Sequence, residues 1–321
     1  MARVAVVLMN LGGPDSLEAV RPFLVNLFND PAIVGLPGAL RWPLARLIAW
    51  RRAPVARMIY ARLGGQSPLL ANTQAQAQAL ERALGSGYRC FVAMRYWHPS
   101  SAQTVRKVAD WAPDEIVCLP LYPQFSTTTT ASSLASWQLA AKQQGLDCPT
   151  RFVRCYPCEK GLIEALARLI RPALDTVSTS GQSPRLLLTA HGLPMKIVRS
   201  GDPYPSQVEQ TAAAVVEALA KPGLDWRVCY QSRVGPLRWI EPLTDEEIKR
   251  AGREGTPLVV APISFVSEHS ETLVELDLDY RDLAEASGVP VYYRVATVSV
   301  EPAFIGALAS LVHRALSRAS I

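Results

Sequence analysis

The stretch PISFVSEHSETLVELDLDY, residues 262–280, passes from an apolar, β-branched run through a polar turn into an acid-rich segment. This order predicts a buried strand followed by a helix. The same order occurs earlier in LPLYPQFSTTTTASSL, residues 119–134. A strand that runs into a Gly/Pro turn also occurs twice, as LMNLGGP at 8–14 and LTAHGLP at 188–194. These pairs predict a duplicated chain with two similar halves in tandem.

Apolar runs alternate with amphipathic stretches along the whole chain, a pattern typical of parallel sheets covered by helices on both faces. Each half then forms a doubly wound α/β domain with four strands. Ligands of such sheets bind beyond the carboxyl ends of the strands, so we expect an active-site cleft between the domains. The predicted strands lie at 3–9, 89–94, 114–120, 150–154, 185–190, 226–230, 257–263 and 289–296.

The acid-rich segment carries Glu271, Glu275 and Asp279 at i, i+4 and i+8, which places three carboxylates on one face of an α-helix. Ser267 or Ser270 is expected to cap that helix. Like charges at this spacing repel each other by about 0.2–0.5 kcal/mol per pair, so helix stability alone does not favour them. A route for a cation and a solvated acidic face are both consistent with the pattern.

The composition is that of a globular protein: 321 residues, 49% hydrophobic and 19% charged, with a net charge of +5. We find no block of five like charges, which argues against a nucleic-acid-binding tail. The N-terminal run lacks a typical signal-peptide cleavage region, and no uncharged run reaches the roughly 18–20 residues that span a bilayer. We therefore expect a cytoplasmic protein, either soluble or peripheral to the inner face of the membrane.

Residues 36–70 make the first half longer than the second, and they are apolar, rich in arginine and interrupted by prolines. Tryptophan and arginine side chains interleave in this segment, which suits contact with an anionic ligand or with a membrane surface. We expect a lip over the cleft that touches a membrane. An ordinary surface helical hairpin is the alternative.

Histidine is scarce, and two of the four, His191 and His269, follow predicted strands of the second half. A histidine beside a carboxylate can accept a proton near neutral pH, because its unperturbed pKa is about 6.5. The sequence contains no G-x-S-x-G, dinucleotide fingerprint, phosphate loop or H-E-x-x-H, which disfavours hydrolytic and nucleotide-dependent chemistry. The reaction class that remains is the exchange of protons for a divalent cation on a flat, apolar, anionic substrate.

Three of the six cysteines cluster as Cys148-x6-Cys155-x2-Cys158. Six cysteines in a chain of this size do not form the disulfide pattern of a small secreted protein. Buried or loop thiols are one interpretation of the cluster. A metal or iron–sulfur site, with a fourth ligand such as Cys118, is the other.

Eight short motifs in a fixed order give the chain a resemblance to the ferrochelatase family over essentially its full length. The resemblance implies two tandem Rossmann-like domains with parallel four-stranded sheets, residues 1–165 and 166–300, with a porphyrin bound in the cleft between them. It also implies that a helix at 301–321 packs on the first domain, and that the protein is a monomer or a homodimer. The motifs are NLGGP (10–14), LGGQSP (63–68), MRYWHP (94–99), LYPQFSTTT (121–129), TAHGLP (189–194), GDPYP (201–205), YQSRVGPLRW (230–239) and SEHSETLVELD (267–277).

The resemblance also implies roles for individual residues. His191 matches the family's essential histidine, which accepts pyrrole protons or binds the metal, and Glu271 matches its catalytic carboxylate, also a candidate metal ligand. The other matching residues fall into two groups: the acidic path of Glu268, Glu275 and Asp279, and the substrate contacts Leu11, Arg52, Tyr60, Ser67, Arg95, Tyr96, Tyr122, Trp239 and His269.

The implied reaction is the insertion of Fe2+ into protoporphyrin IX to form protohaem, the last step of haem biosynthesis. Leu11 stands where relatives that use coproporphyrin tend to carry tyrosine, which favours protoporphyrin. The alternatives are a coproporphyrin ferrochelatase, a chelatase for another tetrapyrrole and, more remotely, a non-catalytic porphyrin carrier.

The resemblance implies that the protein needs no cofactor and that Fe2+ is a substrate. An animal-type [2Fe-2S] cluster is not expected, because Thr127 occupies the loop position of a cluster cysteine and a C-terminal cysteine extension is missing. An internal cluster at Cys148, Cys155 and Cys158 is left as the alternative.

Overall fold

The computed structural model of the chain describes residues 2–178 and 182–317. The chain divides into two compact units: unit 1 is Met1–Cys155 with Leu308–Ile321, and unit 2 is Tyr156–Ala307. The domain boundary predicted after residue 165 lies within the helix Lys160–Ser178 of unit 2. Each unit is built on its own sheet.

Unit 1 contains a parallel sheet with the strand order β2-β1-β3-β4. Every residue of the central strand β1 is buried, because helices cover both faces of the sheet. The strands are β1 Val4–Asn10, β2 Tyr88–Met94, β3 Glu115–Pro120 and β4 Thr150–Phe152. The helices are α1 Val20–Phe28, α2 Gly38–Ala61, α3 Leu69–Leu84, α4 Ser101–Trp111, the π-helix π1 Thr127–Ala131, and α5 Ser132–Gln143, which continues it.

Unit 2 repeats this arrangement with the parallel order β6-β5-β7-β8. Its strands are β5 Arg185–His191, β6 Trp226–Gln231, β7 Leu258–Pro262 and β8 Tyr292–Arg294. Its helices are α6 Lys160–Ser178, α7 Met195–Arg199, α8 Tyr204–Leu219, α9 Thr244–Glu254, the π-helix π2 Glu271–Asp279, and α10 Tyr280–Ala286. The last helix, α11 Pro302–Ser317, begins in unit 2, and its residues from Leu308 belong to unit 1.

The predicted fold class is confirmed: two four-stranded parallel sheets flanked by helices, with the same relative strand order in each. All eight predicted strands are present, with ends that differ by at most a few residues from the prediction. The apolar runs identified them because a strand buried on both faces has little room for polar side chains.

The acid-rich segment differs from its prediction in two respects. It is a π-helix, in which the Tyr280 N–H bonds the Glu275 carbonyl oxygen five residues back, and not an α-helix. Ser270 precedes this helix, but its side chain makes no capping hydrogen bond. The His269 N–H donates instead to Thr272 Oγ1 at 2.9 Å.

The predicted lip consists mainly of α2, a single helix that contains Pro43 and Pro54. Its buried residues, among them Ala49 and Ala53, pack with α1 in one apolar cluster. Its other side exposes large apolar side chains, Trp50 and Met58 among them. Among the residues that the structure describes, no helix is both long and apolar enough to cross a membrane.

Candidate active site

The candidate site lies in unit 2, at the carboxyl ends of two adjacent strands. His191 is the last residue of β5, and the chain after β7 leads through a short loop to Glu271, the first residue of π2. The carboxyl edge of a parallel sheet is where α/β proteins bind ligands. The two residues are far apart in sequence, and the pairing of β5 with β7 brings their chain segments together.

His191 and Glu271 are in direct contact: His191 Nδ1 lies 2.9 Å from Glu271 Oε2. The backbone N–H of His191 also donates to Ser264 Oγ at 3.3 Å. A neutral imidazole whose Nδ1–H is donated to a carboxylate has Nε2 as its basic nitrogen. Since 38% of the His191 side chain is exposed, this geometry suits a proton acceptor that a ligand can reach.

His269 approaches the same carboxylate from the other side, with Nε2 at 3.6 Å from Glu271 Oε2. Its Nδ1 lies 3.1 Å from the Ser267 carbonyl oxygen, a contact in which only the imidazole can donate. One carboxylate oxygen of Glu271 is therefore flanked by two imidazoles.

The electrostatics of the pair follow from this geometry. Burial alone would raise the pKa of Glu271, but the neighbouring His191 and His269 lower it well below the usual range of a glutamate. Burial alone would lower the pKa of His191, but the Glu271 carboxylate raises it above its ordinary value. Glu271 thus stays ionised, and His191 takes up a proton more readily than an isolated imidazole.

Glu275 lies behind this pair and is held by four donors. The Ser232 N–H donates to it at 2.8 Å and the Tyr280 hydroxyl at 3.0 Å, while Ser232 Oγ and Gln231 Nε2 donate to its other oxygen. Burial and the charge of Glu271 raise the pKa of Glu275. Glu275 is therefore closer than Glu271 to binding a proton at neutral pH.

The other two residues of the predicted acidic path have different surroundings. Asp279 is exposed at the end of π2. Glu268 accepts hydrogen bonds from Arg294 Nη1 at 2.6 Å and from the Thr297 N–H at 2.9 Å. Arg294 also pairs with Asp277 of π2. Sequence reasoning missed Arg294 because its partners are distant in the chain and no motif includes it.

Trp239 stands over the site with its ring edge-on to His191, at a centroid distance of 6.3 Å. Its Nε1–H donates to the Val234 carbonyl oxygen at 3.1 Å, which closes the loop between them. A Cβ atom at position 192 would lie 3.1 Å from both Trp239 Cε3 and the Gln231 carbonyl oxygen. Gly192 of the AHGLP motif is therefore the residue that lets Trp239 approach.

The substrate contacts predicted in unit 1 divide by accessibility. Tyr60 and Tyr96 are buried in one apolar cluster, on which the half-buried Leu11 also packs. Only 2% of Tyr96 is exposed, and its hydroxyl donates to Asp30 Oδ2 at 2.7 Å. In the described conformation these two tyrosines belong to the interior of unit 1.

The remaining four predicted contacts in unit 1, Arg52, Ser67, Arg95 and Tyr122, are half-buried. Ser67 Oγ lies so close to Gly13 that a Cβ atom there would be 2.4 Å away, which explains the second glycine of NLGGP.

Asp30 bonds two of the predicted contact residues of unit 1, Arg95 and Tyr96, and sequence reasoning missed it. Arg95 Nη2 pairs with its Oδ2 at 2.7 Å, and Ser132 Oγ bonds the same oxygen. Asp30 belongs to none of the eight motifs, so the only sequence signal was its position near the predicted lip.

The cysteines of the predicted cluster are free thiols: Cys148 is half-buried, and Cys155 and Cys158 are exposed. Cys118, the suggested fourth ligand, is buried in β3. Over residues 2–178 and 182–317, no group of three or more His, Cys, Asp or Glu side chains is arranged to hold a metal ion. The internal cluster at these cysteines stays an alternative, and the described residues show no arrangement that supports it.

The fold is that of the chelatases. Among solved structures, SirB from Bacillus subtilis with Fe3+ superposes with a TM-score of 0.59 at 11% identity, over 98% of this chain and 96% of that one. CbiX, described as the terminal enzyme for biosynthesis of siroheme in denitrifying bacteria, gives 0.51 at 18% identity over 98% and 100% of the two chains. At these identities the likeness establishes the fold alone.

The chain belongs to the ferrochelatase family, whose model matches residues 3–316. The ferrochelatase of Phenylobacterium zucineum is 56% identical over 98% of this chain and 92% of its own. That of Caulobacter vibrioides is 54% identical over 99% of this chain and 91% of its own. The expected family is thus confirmed, and the protein is a metal-chelating enzyme of the lyase class that acts in haem biosynthesis, with iron and a porphyrin as substrates.

Proposed function

We propose that the protein inserts Fe2+ into protoporphyrin IX, with His191 as the acceptor of the pyrrole protons and Glu271 as its carboxylate partner. The observation that carries this proposal is the 2.9 Å contact between His191 Nδ1 and Glu271 Oε2 at an accessible strand end. Insertion of one Fe2+ releases two N–H protons from the macrocycle, so the protein must supply a base that accepts them. Because the charge of Fe2+ equals that of the two released protons, the reaction needs no redox cofactor.

The chemistry follows from the electrostatics of the pair. When His191 Nε2 accepts a pyrrole proton, the imidazolium forms beside an ionised carboxylate that already bonds Nδ1, which stabilises the charged product. His191 and Glu271 are also the groups that we propose to meet the incoming metal. Glu275 and, further out, Asp279 extend the series of carboxylates along which protons or metal would pass, with Glu268 at its edge.

Protoporphyrin is the preferred porphyrin in this proposal because position 11 is an apolar leucine. Leu11 packs on the apolar cluster of α1 and α2, together with Tyr60 and Tyr96. Arg52, Ser67, Arg95, Tyr122, Trp239 and His269 are the other proposed substrate contacts.

The test is a metal-insertion assay in which the purified protein receives Fe2+ or Zn2+ with either protoporphyrin IX or coproporphyrin. We expect metalloporphyrin formation with a higher kcat/KM for protoporphyrin. A higher kcat/KM for coproporphyrin would overturn the substrate assignment and leave the chelatase activity standing. Tight porphyrin binding without metallation would indicate a carrier.

We also propose that α2 contacts the cytoplasmic face of a membrane peripherally. Leu40, Leu47, Trp50 and Met58 are each more than half exposed, and their successive spacings of seven, three and eight residues place them along one side of the helix. Exposed arginines, Arg46 and Arg51 among them, alternate with these apolar side chains. An apolar face rimmed by cations suits the interface of an anionic bilayer.

Flotation with liposomes tests the membrane contact. The protein should float with vesicles that contain phosphatidylserine, and the variant Trp50→Glu should float less. Leu139→Glu is the matched control, because Leu139 is 57% exposed on α5, a different helix of unit 1. Equal flotation of the two variants, or none by the unmodified protein, would contradict the contact.

The state of the protein in solution is proposed to be a monomer or homodimer that carries no iron–sulfur cluster. Sedimentation equilibrium gives the mass of the assembly. The iron content of the purified protein and its visible spectrum test the cysteine interpretation directly. Two iron atoms per chain with charge-transfer absorption would establish the internal cluster and refute its expected absence.

A further inference from the structure

The edge strand β8 is only three residues long, yet two of its side chains reach the π2 helix. The Tyr292 hydroxyl donates to the backbone carbonyl oxygen of Leu276 at 2.7 Å. Arg294 contacts the carboxylate of Asp277 within the same helix. Residues two apart in a strand point to the same face, so the two side chains act on π2 together.

Arg294 also holds the chain before π2, because its Nη1 lies 2.6 Å from Glu268 Oε1. Glu268 precedes Glu271 by three positions, and Asp277 follows it by six. The Arg294 guanidinium therefore hydrogen-bonds carboxylates that lie on both sides of Glu271 in the sequence. Its side chain is only 9% exposed, and a planar guanidinium can donate to two carboxylates at once in a fixed geometry.

A π-helix needs such external support. It is a rare conformation that occurs mostly as single turns, whereas π2 extends over nine residues. The contacts from β8 reach the helix at Leu276 and Asp277, beyond Glu271 and Glu275. They bond a backbone oxygen and a side chain, respectively, so they restrain both the path and the rotation of the helix.

We propose that Arg294, assisted by Tyr292, is a positioning residue that fixes the π2 helix and thereby holds the Glu271 carboxylate at His191. Arg294 acts on the reaction through Glu268 and Asp277, the residues that it holds on either side of Glu271. The inference rests on the proposed function, because it takes Glu271 as the partner of the proton acceptor.

Two variants test this role against a matched control. Arg294→Gln removes the charge that joins Glu268 and Asp277, and Tyr292→Phe removes only the hydroxyl. The control is Arg185→Gln: the Arg185 side chain is 10% exposed and also bridges two carboxylates, Asp225 at 2.6 Å and Glu254 at 2.7 Å. Arg185 starts β5, at the opposite end of that strand from His191.

We expect Arg294→Gln to lower kcat for metal insertion on the order of 10- to 100-fold, as loss of a group that orients a reactive residue does. The porphyrin KM should change by less than about threefold, because the interaction lost acts on the reacting groups. Hydrogen exchange of residues 268–280 should accelerate relative to the rest of the chain. Tyr292→Phe should produce the same pattern more weakly, and Arg185→Gln should leave kcat and this local exchange unchanged.

The proposal is overturned if Arg294→Gln folds and retains the kcat of the unmodified protein. It is also overturned if the activity of Arg294→Gln falls only by the fraction of its molecules that are unfolded, a fraction measured in parallel for Arg185→Gln. If Arg294→Gln does not fold, Tyr292→Phe decides, and unchanged kcat and exchange in that variant overturn the proposal. Glu271→Gln is assayed in parallel. Full activity of Glu271→Gln refutes the proposed role of Glu271, whereas reduced activity of Glu271→Gln beside a fully active Arg294→Gln refutes only the positioning role of Arg294.

Discussion

The segments that follow the third strand differ between the two units, although the two sheets share one strand order. In unit 1, β3 leads to π1, a short turn of threonines that Ser126 caps and that continues as α5. In unit 2, β7 leads to π2, nine residues that include Glu271 and Glu275. The common topology places an irregular helix after the third strand in both units, and the side chains determine which of them carries charge.

The carboxylates of the two units also have different partners. Asp30 of unit 1 is bonded by the guanidinium of Arg95, a cation at every accessible pH. Glu271 of unit 2 faces the imidazoles of His191 and His269. The Glu271 carboxylate raises the pKa of His191 above its ordinary value, so the charge of this partner depends on pH. We therefore expect the Asp30 carboxylate to act on stability and, under the proposed function, the Glu271 carboxylate to act on proton transfer.

Removal of His191, the titratable partner of Glu271, should have the largest effect on activity. His191→Ala should lower kcat/KM for metal insertion on the order of 10²- to 10⁴-fold, because the proton acceptor is lost. His98→Ala is the matched control, since His98 follows a strand end of unit 1 and contacts Gln103. Its activity should equal that of the unmodified protein. Comparable activities of the two variants would mean that His191 is not the acceptor.

Neutralisation of the carboxylate should shift the pH dependence as well as the rate. Glu271→Gln should reduce kcat/KM by roughly 10- to 100-fold. A proton acceptor works only when unprotonated, so activity is lost as pH falls through the pKa of His191, which Glu271 raises. Without the charge this pKa falls, and the acid limb of the kcat/KM profile should move to lower pH. An unmoved acid limb would show that another group titrates there.

In unit 1 the same kind of change should affect stability. Asp30→Asn leaves the guanidinium of Arg95 without its carboxylate in a site where Asp30 is 2% exposed, so we expect a loss of about 3 kcal/mol in the free energy of unfolding. Urea denaturation measures it. Asp175→Asn is the control, because Asp175 is 67% exposed and pairs only loosely with Lys221, at 3.4 Å. If the two variants are equally stable, the Asp30 network is not a structural element.

The smallest effect concerns the starts of the two π-helices. Ser126→Ala removes a side chain that accepts the Thr128 N–H at 3.2 Å, and should cost about 1 kcal/mol. Ser270→Ala should cost less than about 0.5 kcal/mol, because the Ser270 side chain makes no capping bond. The midpoints of thermal unfolding compare the two. A larger cost at Ser270 would mean that π2 depends on its first turn and not on its tertiary contacts.

The sequence predicts the sheets well because buried strands leave a local signal, a run of apolar residues between turns. It also predicts the pairing of His191 with Glu271, through motifs and the topological rule for strand ends. The π-helices escape prediction because the spacing of apolar residues in such short segments does not separate π from α geometry. Arg294 escapes it because its carboxylates lie 17 and 26 residues away, and only the folded chain brings them together.

The Glu271 carboxylate also sets a capacity. It bonds Nδ1 of His191, so only Nε2 of that ring can take a further proton. Under the proposed function the macrocycle releases two pyrrole protons in each turnover, twice what His191 can hold. The first proton must then leave His191 before the second is accepted, and a pH-indicator dye in a single-turnover experiment would register release of the first proton before metal insertion is complete.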